Sequence, residues 1–416
     1  MESNIERPLV SRQKGLGRVP LTPYSYDLYP RAGAVDTGAW REVCDPLGNP
    51  FLDLRFLQAV ETSFAAEAQM WYAIFRDDAG RPVACACYSK YLVDGTLMAG
   101  GFVARMVSGV RRVWPRFLKF SILLCGTPVS TCGNQLGIAP AADMDRLVPA
   151  IDGLAVQLAR ESGCMLISFK EFPRGEAERI ESLKSRDFLK ARSVVAYNLP
   201  GEFGSFDGYV ASRSKRTRAK IRRHFKKFEE QGLTCEQLRG RDGVDQLFTD
   251  DVHRLYLNVL DRAHITFERI PVEFFREVAR QLPDESCFTI MRQKERIVAF
   301  CCGVASAGAH TMLFCGLDYS LNAAADLYFN TIYRGLAHGL TPGVRTVFIG
   351  ASADEFKQHM GCQGEPLAVY VKALGAVQQF VFRHAFRFLF DTTPIPPAGP
   401  ATIPLALPED EMREAA

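Results

Sequence analysis

Nine of the fifteen residues from Arg213 to Lys227 are Lys or Arg, and none is acidic. The surrounding stretch reads SRSKRTRAKIRRHFKKFEEQGL, from Ser212 to Leu233. A run of cations with no carboxylates among them is suited to holding phosphates, whether of a cofactor, an RNA or a lipid headgroup. Lys215, Arg216 and Arg218 open the run, where the free N–H groups of a helix start would add to the attraction for an anion. The competing reading is a solvated helix face, which charge runs usually are. No Ser-His-Asp or Cys-His arrangement stands out, and Cys235 and Cys362 have no His at motif spacing. A covalent intermediate on the protein is therefore not expected.

A helix is the element that would carry these cations. Val210, Ser214, Thr217, Ile221, Phe225 and Phe228 recur at three- and four-residue steps and make one apolar or small stripe. Gly232 is a suitable stop. Glu229 and Glu230 fall near the C-terminal end, the unfavourable end for the helix dipole. Local charge thus opposes this helix, so packing or a bound anion must stabilise it.

The chain has 416 residues, 47% hydrophobic and 23% charged, a globular composition with material for two to three domains. Its formal charge is only +3, which excludes a general nucleic-acid coat protein and makes any anion site local. The twelve cysteines are scattered. Cys85 and Cys87, and Cys301 and Cys302, lack zinc-knuckle spacing and lie in the apolar runs VACACYS and VAFCCGVAS. They are expected to be buried thiols in a reducing cytosol, with no metal. The N-terminal MESNIERPLVSRQKGLGRVP has no apolar signal region, and FLKFSILLCGTPV, broken by Lys119, is too short to span a bilayer. The expectation is a soluble cytoplasmic protein, with peripheral contact to anionic lipid left open.

Residues 1–30 read as a flexible arm, and 391–416, rich in Pro and Ala, as a disordered tail. Between them an order of helix, hairpin, helix and strand occurs twice. The hairpins begin at Trp71 and Cys287 and turn at DDAGRP and QKER. Each follows an amphipathic helix, NPFLDLRFLQAVETSF in the first copy and IPVEFFREVARQLP in the second. Each precedes another helix and a buried strand: CMLISFKEF in the first, RTVFIGAS in the second. The pattern predicts two related α/β halves, 31–197 and 198–390, standing side by side.

The segment SFDGYVASRSKRTRAKIRRHFKKFEEQGLTCEQL, the following helical region, the hairpin, the strand ending in Gly and VFIGASADEFKQHMGCQGEPLAVYV together resemble one known group. This is the CelD-like and Fem-like branch of the GNAT superfamily of acyltransferase-like proteins, associated with bacterial cell-envelope and polysaccharide biosynthesis. The resemblance covers about Phe172 to Tyr370, and the first half looks like the degenerate partner copy of Fem-like proteins. It implies an α/β (α+β) fold of tandem GNAT-like domains, each a mixed, bent sheet flanked by helices. It also implies transfer of an acyl group to an amine or hydroxyl of an envelope, polysaccharide or lipid precursor, with the second half catalytic. The donor in most such proteins is acetyl-CoA or another acyl-CoA; in Fem ligases it is an aminoacyl-tRNA. Two alternatives stay open: a Fem-type ligase, and a GNAT-fold binding protein without catalysis.

GNAT enzymes hold the coenzyme A pyrophosphate on a turn of the form [QR]-x-x-G-x-[GA]. Here the corresponding LDYSLNAAADLYFN, Leu317 to Asn330, has no glycine. Asn322 and Ala324 are the donor-contact positions of this turn, and Ala323, Ala324 and Ala325 are small enough to admit a phosphate to a helix start. Acyl transfer needs a base, a stabilised oxyanion and a protonated leaving group. Lys357 matches the lysine of the family's terminal motif, which implies contact with donor phosphate or substrate. Glu355, with Asp354 beside it, is the candidate base, and His359 is an alternative by its pKa. Tyr328 is the candidate general acid. Asp261 stands where the family places acceptor contacts. Each also has a bland reading: a helix-start carboxylate, a surface His or Lys, a core Tyr, a capping Asp.

Overall fold

A computed structural model describes residues 24–94, 119–262, 268–306, 308–351, 354–390 and 392–393. The chain begins with β1 (Ser25–Tyr29), α1 (Thr37–Cys44), α2 (Leu54–Ser63), β2 (Ala68–Arg76), β3 (Pro82–Asp94), β4 (Lys119–Cys125) and β5 (Leu136–Ile138). It continues through α3 (Met144–Glu161), β6 (Leu166–Phe172), α4 (Arg174–Arg179) and β7 (Leu189–Pro200). Then come α5 (Phe206–Ser212), α6 (Lys215–Glu230), β8 (Leu233–Arg239), α7 (Val244–Leu247), α8 (Asp250–Leu260) and α9 (Val272–Gln281). The last elements are β9 (Ser286–Gln293), β10 (Arg296–Ser306), β11 (Ala309–Leu317), α10 (Asn322–Ala325), α11 (Leu327–Gly339), β12 (Thr346–Ala351), α12 (Asp354–His359), β13 (Gln363–Ala373) and α13 (Ala376–Leu389).

Two compact units divide this chain: unit 1 takes residues up to 194 together with 366–395, and unit 2 takes 195–365 with 396–416. Each unit has the same internal plan. In unit 1, β1 to β4 form an antiparallel series, and β6 returns parallel to β4 after α3. In unit 2, β8 to β11 form the antiparallel series, and β12 returns parallel to β11 after α11. A right-handed helical crossover is the ordinary way to join such parallel neighbours. The last strand of each unit comes from a distant part of the chain. β13 pairs antiparallel with β6, and β7 pairs antiparallel with β12. Residues 366–390, expected in the C-terminal half, therefore belong to the unit of the N-terminal half, because β6 supplies their sheet partner. Residues 25–29 of the expected arm form β1, since alternation lets them pair with β2. The remainder of the arm, 1–23, and the tail positions 391 and 394–416 lie outside the described residues, as does 95–118 of the first copy's long connection.

Burial follows from sequence type. β10 (RIVAFCCGVAS) is apolar without alternation and is buried on both faces. Gly335 and Gly339 let α11 lie close on the sheet: a Cβ at Gly335 would stand 2.7 Å from the Met312 methyl, and one at Gly339 2.4 Å from the His310 ring. The parallel ladder of unit 2 covers Ala309–Thr311 and Thr346–Phe348, and β11 runs on past it to Leu317. The connection after that strand end, with α6 against it, forms the site below. All twelve cysteines are free thiols, nine of them buried. Among the described residues no group of three His, Cys, Asp or Glu is placed to hold a metal, and no helix is long and apolar enough to cross a membrane.

Candidate functional site

The basic helix starts later than its stripe suggested. The chain breaks between α5 and α6, and Ser214 caps α6, its Oγ accepting from the Thr217 N–H at 3.1 Å. Val210 belongs to α5, while Ile221, His224 and Phe228 are the buried residues of α6. Several cations are committed inside the protein. Arg213 donates to the Met360 carbonyl at 3.2 Å and lies over the Tyr209 ring at 5.1 Å. Arg218, expected to meet a ligand, donates instead to the carbonyls of Ala211 and Arg213 at 3.2 and 3.0 Å. Lys226 stays exposed on the outer face, 3.5 Å from the likewise exposed Glu230. Lys215, Arg222 and Arg223 are exposed and have no hydrogen-bond or ion-pair partner among the described residues, and Arg216 is exposed beside them.

The other wall is the connection from β11 to α11. Asp326 adopts a left-handed backbone (φ +48°) between α10 and α11. Its carboxylate bridges to α6: Oδ2 lies 2.7 Å from His224 Nδ1, and Oδ1 accepts from Lys227 Nζ at 3.0 Å. Asn330 donates to the carbonyls of His224 at 2.9 Å and Ala325 at 3.1 Å. The His224 ring stacks on Phe329, centroids 4.5 Å apart. Burial lowers the His224 pKa, although the Asp326 carboxylate pulls it the other way. Asn322 is buried, and its Oδ1 accepts from the Tyr328 N–H at 2.8 Å. The helix start expected to receive a phosphate thus has that N–H already occupied and a carboxylate at its cap. Ala324 is exposed on α10.

This bridge predicts an ordered pair of effects. D326A should cost about 2 kcal/mol of unfolding free energy, because it removes two charge-assisted bonds and places Ala in a left-handed conformation. D326N keeps a residue tolerant of that backbone and should cost about 1 kcal/mol. Lys227 is partly exposed, so its share is the smaller one. Urea unfolding of the two variants checks the order; two curves that overlay the parent would contradict the bridge.

The remaining candidates lie at the end of α8 and on α11 and α12. Asp261 is exposed at the C-terminal end of α8, and its neighbour Arg262 lies 3.5 Å from the centre of the Tyr319 ring. Tyr328 packs against Phe356 of α12, centroids 5.8 Å apart. Burial raises the Tyr328 phenol above its ordinary pKa, and its hydroxyl has no hydrogen-bond partner among the described residues. Glu355, next to Phe356, is half-buried, and its carboxylate likewise has no partner there. His359 is exposed, with Nδ1 2.7 Å from the Glu355 carbonyl oxygen. Lys357 departs from a surface role. It is 3% exposed, donates to the Gly350 carbonyl at 3.0 Å and lies 5.5 Å from the centre of the Tyr197 ring. Gly350, at φ +76°, turns that carbonyl inward at the irregular end of β12.

Residues 31–373 match the FemAB-like family, described as peptidoglycan biosynthesis/recognition. The chain belongs to this family. The crystal structure of FemX aligns with a TM-score of 0.52 at 9% identity, covering 83% of this chain and 96% of that one. A tandem GNAT protein from the clavulanic acid biosynthesis pathway aligns with a TM-score of 0.49 at 11% identity, covering 84% and 99%. At such identity the FemX likeness shows the fold alone, an α/β architecture shared with that protein. Among curated proteins, the putative 8-amino-7-oxononanoate synthase 2 of Mycobacterium tuberculosis is 21% identical over 300 residues, 71% of this chain. The chain spans 38% of the length of that protein.

In this FemAB-like chain, the residues that lock the two walls together were not singled out from sequence. His224 had a visible signal, a polar residue three after Ile221 and four before Phe228 on the stripe that packs inward. Asp326 stands directly before the apolar run LYFN, an N-cap signal. Nothing local pairs the two, which are 102 residues apart.

Proposed function

We propose that this FemAB-like chain is a transferase that moves an aminoacyl group from an aminoacyl-tRNA to an amine or hydroxyl of a cell-envelope precursor. The observation that carries this reading is the outer face of α6. Lys215, Arg222 and Lys226 recur at steps of seven and four, so they line one side of the helix over about 16 Å. That length suits several successive phosphates of a polyanion, more than one diphosphate. The start of α11, where a coenzyme A diphosphate was expected, carries Asp326 and has its Tyr328 N–H occupied by Asn322. Family membership supports the envelope acceptor.

The chemistry assigned to the site is direct transfer. The acceptor amine or hydroxyl attacks the ester carbonyl carbon; a new bond to that carbon forms and the ester C–O bond breaks. Glu355 takes the acceptor's proton, and Tyr328 gives its phenolic proton to the departing ribose oxygen. A raised phenol pKa keeps that proton in place near neutral pH. Asp261 orients the acceptor. The test is label transfer to a nucleotide-linked or lipid-linked peptidoglycan precursor from either ¹⁴C-aminoacyl-tRNA or ¹⁴C-acetyl-CoA. Label is expected from the tRNA, and Tyr328→Phe should lower kcat about 100-fold with little change in KM. Label arriving from acetyl-CoA alone would return the donor to the acyl-CoA class and overturn the tRNA assignment.

A further inference from the structure

Helix α13 of unit 1 has an apolar face left exposed among the described residues. Its inner face, Phe382 and Phe386, packs with Ala191, Val369 and Val371. On the opposite side, Val377, Phe380 and Val381 are 78%, 66% and 59% exposed. Isolated exposed apolar residues are ordinary, but three on adjoining turns of one helix are a surface that seeks a partner. Met165 and Leu92, also exposed, stand at the same end of the sheet. The Leu374 N–H bonds to the Met165 carbonyl, the Met165 N–H bonds to Ser121, and Leu92 is the register partner of Ser121.

The flank of this face is cationic. Arg383 and His384 are exposed on α13, whose sequence holds no Asp or Glu. Beside it lies a pocket of about 540 Å³ lined by Lys184, Lys190, Arg383, Phe188, Thr392 and Thr393 among others, and by no carboxylate of the described residues. Lys184 and Lys190 share Glu181, and Arg383 meets Asp187, so three cations face two carboxylates and one positive charge is in excess.

We infer that this end of unit 1 docks on an anionic lipid bilayer. Val377, Phe380 and Val381 enter the boundary between headgroups and acyl chains, and Lys184, Lys190 and Arg383 meet lipid phosphates in and around the pocket. An apolar face edged by cations is the arrangement of helices that lie in the plane of a membrane surface, and charge complementarity selects anionic over zwitterionic lipid. The inference stands on unit 1 and does not depend on the donor assigned to unit 2.

The test is co-sedimentation of the full chain with vesicles of phosphatidylcholine alone or with about one-third phosphatidylglycerol. The parent is expected to partition at least tenfold better onto the anionic vesicles. F380D/V381D should lose at least tenfold of that binding, and K184Q/R383Q should narrow the gap between the two vesicle types. All four positions are exposed or half-exposed, so unchanged far-ultraviolet circular dichroism and melting would confirm folded variants. Absence of parent binding to anionic vesicles, or binding unaffected by F380D/V381D, would overturn the inference. A parent dimer that F380D/V381D splits, with no vesicle binding, would also overturn it and assign the face to a second copy of the chain.

Discussion

Acidification from about pH 7 to about pH 4.5 is expected to remove several kcal/mol of stability from unit 2, most of it through two histidines. His310 on β11 is 3% exposed and His338 on α11 is 9% exposed, with ring centroids 6.4 Å apart. Burial lowers the His310 pKa to about 3, with His338 and Arg239 adding repulsion. Burial, followed by Arg239, lowers that of His338 to about 4. Thr289 Oγ1, 3.4 Å from His338 Nδ1, and the Cys287 thiol, 2.7 Å from Arg239 Nη1, complete the surroundings. Both rings are neutral in the folded protein near pH 7, and the unfolded chain binds more protons once the pH drops below about 6.5. Their contribution is therefore full above that value and is lost as pH falls towards about 4 and about 3. At pH 4.5 the loss is about 2.5 kcal/mol for each ring. His224, also lowered by burial, adds in the same direction. Urea unfolding followed by amide protection in β9 to β11 and α11 would measure it. An H310Q/H338Q variant should lose most of the acid slope whatever its stability at pH 7. The same slope in parent and variant would contradict the assignment.

The second large effect is on binding. K215A/R222A/R223A is expected to weaken tRNA affinity about 100-fold near 0.1 M salt and to lower the slope of log affinity against log salt by about 2 to 3. These side chains are exposed and unpartnered among the described residues, so melting should be unchanged. R218A is the contrasting variant. Its guanidinium is tied to the carbonyls of Ala211 and Arg213, so it should cost stability at the corner between α5 and α6 more than affinity. A filter-binding salt series on the three proteins separates the cases. An unchanged slope in the triple variant would show that α6 does not meet the phosphates.

The repeated plan was legible in the sequence because its signals are local. Strand-length apolar runs on either side of the turns DDAGRP and QKER mark β2, β3, β9 and β10, and helical periodicity marks α2, α3, α9 and α11. The exchange of last strands was not legible. The apolar runs of β7 and β13 say that each is buried, but their partners β12 and β6 are chosen by contacts far along the chain. The same limit explains the basic helix. A stripe drawn from Val210 to Phe228 passes through Ser214 at acceptable spacing, yet Ser214 is a cap and breaks the helix there. Lys357 shows the reverse failure. ADEFKQHMG has the look of a surface turn, but the inward-turned Gly350 carbonyl gives a buried ammonium its acceptor. The sequence of the turn places Asn322 toward a ligand, whereas in the fold its Oδ1 accepts the Tyr328 N–H from within.

The central claim is that α6 grips the donor while the groups around Tyr328 perform the transfer. Steady-state transfer of label from aminoacyl-tRNA to a peptidoglycan precursor, with the parent and K215A/R222A/R223A, tests it most directly. The predicted result is a fall of about 100-fold in kcat/KM carried by KM for the tRNA, with kcat at saturating donor unchanged. A variant that loses kcat and keeps KM, or a parent that transfers no label from aminoacyl-tRNA, would contradict it.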